Sequence, residues 1–324
     1  MSITAAGPDP SARIRGRPEV VSPPPASLPG WVDRLIGDAP VRAVSARDGR
    51  PGVERRESAG WRLVSVVLAG ARGLDVLTFQ QAVMDGFAAV LDQLEPRGTV
   101  HPVRFWAFVP DIHARLEPDL DRYMVFNAAR FAAYSAWYGG REAFPRALPT
   151  ASAVGTFGQD LVLHCLAADT PGRPVENPRQ VPAYRYSRRF GPLPPCFARA
   201  TLVARPAQRA LLLVGGTASI RGEASMHESD LGAQMDETLA NLASVAEAAC
   251  GTSGTSDGPA ALAGYRHLRA YHRREGDRAE VESRMREAFP GLDRLELLSA
   301  ELCRPELLVE VEGVAEGPAA AADS

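Results

Sequence analysis

The chain contains no lysine: all 36 of its basic residues are arginine. Chemistry that needs a primary amine is thereby excluded, including Schiff-base catalysis, pyridoxal attachment and the phosphate-loop lysine. Cysteine is scarce as well. Cys165, Cys196, Cys250 and Cys303 are scattered without C-x-x-C spacing, which fits reduced thiols in a cytoplasmic protein better than a disulfide framework or a zinc site. No apolar run reaches the roughly 18 residues of a membrane span, and the opening residues lack the apolar core of a signal peptide. Against 39 acidic residues the arginines leave a net charge of −3, so there is no basic footprint for nucleic acid or an acidic membrane. No histidine pair has zinc-site spacing, and the one glycine-rich turn, "GTASIRG", lacks the G-x-G-x-x-G order of a dinucleotide site.

What is present is an ordinary soluble composition, 45% hydrophobic and 23% charged over 324 residues, a length that suits two domains. Residues 1–29 are rich in Pro, Ser and Arg and read as a loose arm; "GPAAAADS" at the end reads as a frayed tail. Strands are expected at 61–70 and 103–110, the latter stopped by Pro110. Helices are expected at 79–94 and 123–139, the first with Ala82, Val83, Phe87, Val90 and Leu91 on one stripe, the second closed by Gly139 and Gly140. One or two strands follow at 151–168. The order then repeats: a hairpin from "ARATLVA" and "ALLLVGG", a helix at 230–249, a strand at 265–272, a helix at 278–289 and closing strands in "LELLSAELC" and "ELLVEVEGVA". This predicts an α+β protein of two duplicated units, 30–150 and 151–324, each a mixed sheet with its helices on one face. A Gly/Ser-rich linker at 250–262 interrupts only the second copy.

Two places break the pattern. After the Gly215–Gly216 turn the chain spends Glu223 to Leu231 reaching the next helix, more than a bare strand-to-helix connection needs. In "ELLVEVEGV", period two sets Glu310 and Glu312 on the sheet face opposite the helices, a face normally left to solvent or to a partner sheet. A solvated acidic strand is the plain reading of those two carboxylates. Laying the halves end to end sets His164 opposite Glu310, so the copies have diverged there.

Taken together, "PTASAVGT", "VENPRQVPAYRY", "FGPLPPCFARA", "GGTASIRG" and "LCRPELLVEVEGVA", in that order, resemble the chorismatases, an enlarged two-part form of the RidA/YjgF fold, over residues 60–315. The resemblance implies two RidA-like units packed through their sheets as a pseudo-oligomeric barrel, and hence a monomer or weak oligomer. It implies a small-molecule substrate, chorismate, with no cofactor or metal, and a place in supplying an aromatic starter unit to secondary metabolism. The family's catalytic acid maps onto Glu310. A Cys before that strand and a Gly at the strand-end turn mark the subtype that forms 3-hydroxybenzoate, and Cys303 and Gly216 match both; they are expected to touch the substrate ring. The hydrolytic subtype has Ala at the glycine position.

Chorismate carries two carboxylates, for which bidentate guanidinium groups are suited. Arg185 and Arg199 lie in the best-matching segments, beside Tyr184 and Tyr186, and these four are the candidate substrate-binding residues. Tyr184, Arg185 and Tyr186 alternate, so at least one tyrosine is expected to pack elsewhere. Arg130, mid-helix, is expected in a structural ion pair; Arg221 is a weaker candidate; Asp230 reads as a helix N-cap. Glu312, nearer the strand's end, is expected to matter much less than Glu310. Two rival readings stay open: a RidA-like enamine or imine deaminase, which needs an Arg before the terminal Glu that "LELLSAEL" does not offer, and a non-catalytic binding module of the same fold.

Overall fold

The computed structural model describes residues 18–205, 208–251 and 258–319. The period-two apolar runs form two sheets. In the first, the strands run in the spatial order Arg42–Val44, Val53–Ser58, Trp61–Leu68, Leu161–Ala168, His101–Pro110 and Thr150–Thr156. In the second the order is Glu19–Val21, Arg294–Ser299, Tyr265–His272, Val309–Ala319, Arg209–Ala218, Ala200–Val203 and Gly172–Val175. Within each sheet a strand, a helix and a second strand form a parallel pair: 101–110 with 150–156 through the helix Arg122–Tyr138, and 265–272 with 294–299 through the helix Arg278–Ala288. Such a crossover is what parallel neighbours require. The last strand of each copy then inserts in the middle of its own sheet, antiparallel to both neighbours.

Side-chain alternation sorts the core into three layers. Leu161, Leu163, Cys165 and Ala167 face the helices Val76–Asp92 and Arg122–Tyr138, packing against Phe87, Val90 and Phe126. Val309, Val311 and Ala315 face the long helix Leu231–Cys250, packing against Met235, Leu242 and Val245. The opposite faces of both sheets share a third cluster, with Leu166, Trp106 and Phe108 from one and Leu213, Tyr271 and Val314 from the other. The two sheets are thus packed face to face. Glu310 and Glu312 point into this middle layer, buried, and not toward solvent.

Several expectations need correction. Dividing the chain after residue 150 would assign residues 151–156 and Leu161–Ala168 to the second unit, yet both strands pair within the first sheet, so that sheet runs to Ala168. The arm expected at 1–29 is structured in its later part. Glu19–Val21 pairs in parallel with Arg294–Ser299, and the helix Gly30–Ile36 sends Trp31, Val32 and Ile36 into the middle layer, with Trp31 5.7 Å from the ring of Trp106. Residues 1–17 lie outside the described residues. In the linker expected at 250–262, Gly258–Leu262 is helical and 252–257 lie outside the described residues. Most of the "frayed" tail does too, although the terminal strand reaches Ala319.

The strand orders also give two open sheets and no closed barrel. The outer edge of Thr150–Thr156 joins no strand ladder of the second unit; it meets that unit through a Thr150–Ala198 bridge, bonds from Thr150 N to Thr201 Oγ1 at 3.0 Å and from Thr150 Oγ1 to the carbonyl of Arg199 at 3.1 Å, and a bond from Gly155 N to the carbonyl of Glu301 at 2.6 Å. At that seam the two units come together around a cavity.

Because Trp31 fills the middle layer, Trp31→Ala should lower the unfolding free energy by about 3 kcal/mol or more, measured by chemical denaturation. A change below about 1 kcal/mol would show that the 30–36 helix is peripheral to the fold.

Candidate active site

The cavity at the seam has a volume of about 250 Å³. Its floor is the terminal strand with Glu310 and the end of the neighbouring strand with Gly216 and Ala218. One wall is the loop carrying Cys303, Arg304 and Glu306; another is the segment with Tyr186, Arg189, Phe190, Phe197 and Arg199. The first unit closes it with Asp121, Tyr123 and Met124 at the start of its second helix.

Glu310 is 3% exposed. Burial, followed by the neighbouring Glu312 carboxylate, pushes its carboxyl up to about 8, against the smaller opposing pulls of Arg104, Cys303 and Arg199. It therefore carries a proton at neutral pH, which a general acid requires. Cys303 Sγ lies 3.9 Å from Glu310 Oε2. Burial and then the Glu310 charge push that thiol up to about 12, so Cys303 is a neutral S–H and not a thiolate nucleophile.

Gly216 contacts the acid as well. A Cβ built there would overlap Glu310 Oε1, lie 2.8 Å from its Cδ and 3.3 Å from Ser152 Oγ. Gly216 and Cys303 thus both shape the space around the Glu310 carboxyl.

Of the four binding candidates, two line the cavity and two do not. Arg199, 5% exposed, donates to Tyr186 OH at 2.7 Å and to the carbonyl of Val181 at 3.0 Å, and its Nε is buried with no partner among the described residues. Tyr184 and Arg185 sit in a 3-10 turn that follows Pro182, not in a strand. Tyr184 packs edge-on to Phe144, and exposed Arg185 lies over the Tyr184 ring. The turn fans the three side chains apart and delivers only Tyr186 to the cavity.

The sequence reading missed Arg304, though it quoted the segment. Its guanidinium lies 4.0 Å over the Phe190 ring and donates to the carbonyl of Glu223 and to Ser225 Oγ. The turn expected at Gly215–Gly216 is instead a bulge within the strand Arg209–Ala218; Glu223 and Ser225 belong to the long excursion after that strand, which thus anchors a cavity arginine. Arg199 and Arg304 are held by carbonyl and hydroxyl oxygens among the described residues, which leaves their charge to a ligand. Tyr123 was also missed; it reaches the cavity from the other unit, and no local sequence signal marks it.

Other calls resolve more simply. Arg130 is buried but forms no carboxylate pair among the described residues; it donates to Asn127 Oδ1 at 2.7 Å. Arg221 pairs with Glu237 outside the cavity. Asp230 caps its helix by accepting from Ala233 N. His164 faces the middle layer against Ser65 Oγ at 2.7 Å, and burial draws it down to about 4, so the first unit presents a neutral imidazole on its central strand. Glu312 was undervalued. It is fully buried, in an ion pair with Arg104 at 2.6 Å, and accepts from Trp106 Nε1 and Tyr271 OH at 3.1 Å each and from Ser152 Oγ. Among the described residues no three His, Cys, Asp or Glu side chains gather as a metal site, and no helix is long and apolar enough to cross a membrane.

A family model described as chorismatase FkbO/Hyg5-like, N-terminal, matches residues 40–167. The 3-hydroxybenzoate synthase of Streptomyces hygroscopicus is 33% identical over 241 residues, covering 73% of this chain and 69% of that protein. The chain belongs to the chorismatase family. A chorismatase of Streptomyces rapamycinicus is 32% identical over 231 residues, 70% of this chain and 68% of that one. A solved chorismatase structure superposes with a TM-score of 0.68 at 27% identity, covering 85% of this chain and 80% of its own. The two-unit α+β fold is that of the family.

The raised Glu310 carboxyl has a stability consequence. Its proton is held more tightly folded than at the ordinary value of 4.5, so the stabilisation is complete below about 4.5 and is lost as pH rises toward about 8. Glu310→Gln, which cannot ionise, should therefore gain thermal stability over the unaltered chain as pH rises across that window. Parallel melting curves with no pH-dependent gap would show that Glu310 is not held protonated.

Proposed function

We propose that this protein cleaves chorismate to pyruvate and 3-hydroxybenzoate. The observation that carries the reading is the meeting of a protonated, buried Glu310 with Cys303 and Gly216 in one cavity that two uncommitted arginines also line. Chorismate is an enol ether, and proton transfer to its methylene carbon generates an oxocarbenium ion. Glu310 supplies that proton. Arg199 and Arg304 are suited to the two substrate carboxylates, with the Tyr186 hydroxyl fixing Arg199 and the excursion fixing Arg304.

The neighbouring ring hydroxyl then attacks the cation in place of water, giving up its proton; the bond from that oxygen to the ring breaks as the ring loses a proton and becomes aromatic, and the resulting hemiketal collapses to pyruvate and 3-hydroxybenzoate. The two products contain all the atoms of chorismate, so no water is consumed. A small cavity walled by Phe190, Phe197, Ile220 and Pro195 favours that course by leaving little room for a competing water. Support for this product over the hydrolytic one comes from Gly216 and Cys303, together with the name of the Streptomyces hygroscopicus relative. Gly216 leaves the acid its present position, whereas an alanine there would displace the carboxyl and open a different space beside it.

Glu310→Gln should keep the fold and lose about 10²–10⁴-fold in pyruvate release, assayed with no added metal or cofactor; full activity would remove Glu310 from the role. Gly216→Ala should lower the rate and change the product profile together, because its Cβ meets the acid. Unaltered 3-hydroxybenzoate formation at the normal rate would contradict that assignment. Activity on 2-aminoacrylate with none on chorismate would favour the deaminase reading.

A further inference from the structure

Beneath Glu310 lies a buried ion pair that joins the two units. Arg104 comes from the first sheet and Glu312 from the second; their side chains are each 1% exposed and meet at 2.6 Å. Four donors converge on the two Glu312 oxygens: Arg104 Nη2 and Ser152 Oγ on Oε2, Trp106 Nε1 and Tyr271 OH on Oε1. The same Arg104 nitrogen donates to Ser152 Oγ at 2.6 Å, which leaves the serine proton for Glu312. Such an arrangement satisfies a carboxylate anion, which only accepts, and has no place for a proton on Glu312. Ser152 also lies beside Gly216, toward the acid. Period two sets Glu310 and Glu312 on the same side of one strand.

We propose that Arg104 and Glu312 are positioning residues for the acid: the first unit's guanidinium fixes Glu312 as the anion, so that the single acidic proton of the buried carboxyl pair resides on Glu310. This rests on the reading of Glu310 as the proton donor. The other ionisable groups acting on Glu310 are Cys303 from the preceding loop, Arg199 from the wall, Tyr123 from the first unit's helix and Tyr271 from the adjacent strand, and Arg304 and Glu306 line the same cavity. Among the groups that act on Glu310 from the wall, Arg199 is the cation. It acts in the direction opposite to Glu312, so the location of the proton is set within the Arg104–Glu312–Glu310 group. Burial of the group explains why its charges act strongly across a short span.

The test is the pH dependence of kcat/KM for chorismate. Activity needs protonated Glu310, so it falls on the alkaline side as that proton leaves. Glu312→Gln removes a neighbouring negative charge and should move the alkaline limb to lower pH by about one unit or more. Arg104→Met removes a positive charge and should move it to higher pH, with a lower maximum because the proton is then shared between two carboxyls. A purely structural pair would reduce the rate without moving the limb in opposite directions.

A second measurement uses only the unaltered chain and Glu310→Gln. Burial also raises Glu176, to about 7, so the readout is a difference: at neutral pH the infrared carbonyl stretch of protonated buried carboxylic acid should be weaker in Glu310→Gln than in the unaltered chain by one group. Limbs that stay put in both variants, or a stretch of undiminished intensity in Glu310→Gln, would overturn the proposal. An inactive Glu310→Gln alongside unmoved limbs would sink the Arg104–Glu312 role alone, whereas a fully active Glu310→Gln would sink the acid assignment on which it rests.

Discussion

Two carboxyls on one face of one buried strand set the central constraint of this protein. Glu310 and Glu312 both enter the dry layer between the sheets, where two neighbouring negative charges are costly. One buried arginine, Arg104, is placed to neutralise one of them. The layer resolves the imbalance by retaining a proton, and burial together with the second carboxylate raises Glu310 to about 8. Face-to-face packing of the sheets is thus the source of the acid. A single half-exposed sheet would leave the same residues solvated and ionised.

That packing needs both units. The first unit supplies Arg104, Trp106 and Ser152 to hold Glu312, and Tyr123 to close the cavity; the second supplies both carboxyls, Gly216, Cys303 and the two cavity arginines. The first unit's own central strand carries His164, which burial keeps neutral. On this account one unit carries the proposed acid and the other the frame proposed to determine where its proton sits. The long excursion after the strand Arg209–Ala218 fits the same division, since it fixes Arg304 through Glu223 and Ser225 while the bulge at Gly215–Gly216 gives the Glu310 carboxyl room.

The duplicated order of strands and helices was legible in the sequence because periodicity is local: the strand at 265–272 and the helices near 79–94, 123–139 and 230–249 fall where their apolar patterns place them. Period two also gave the shared face of Glu310 and Glu312, but its plain reading was a solvated strand; only the family resemblance singled out Glu310. Contacts made across the sheets were not legible. Nothing near Arg104 or Tyr123 in the chain signals a partner some two hundred residues away, and Glu312 read as a solvated strand-end carboxylate because its four donors come from three other strands. Tyr184 and Arg185 were misplaced because a 3-10 turn after Pro182 replaced an expected alternation. The unit boundary slipped because the strands that complete the first sheet follow the helix where the repeat was taken to restart.

The central claim is that a water-poor cavity with a protonated Glu310 converts chorismate by internal transfer. Its most direct test is chromatographic identification of the ring product formed from chorismate by the unaltered protein, with pyruvate quantified in the same sample. The account predicts 3-hydroxybenzoate and pyruvate in equal amounts. A dihydroxycyclohexadiene carboxylate as the main ring product, or ring product without matching pyruvate, would contradict it.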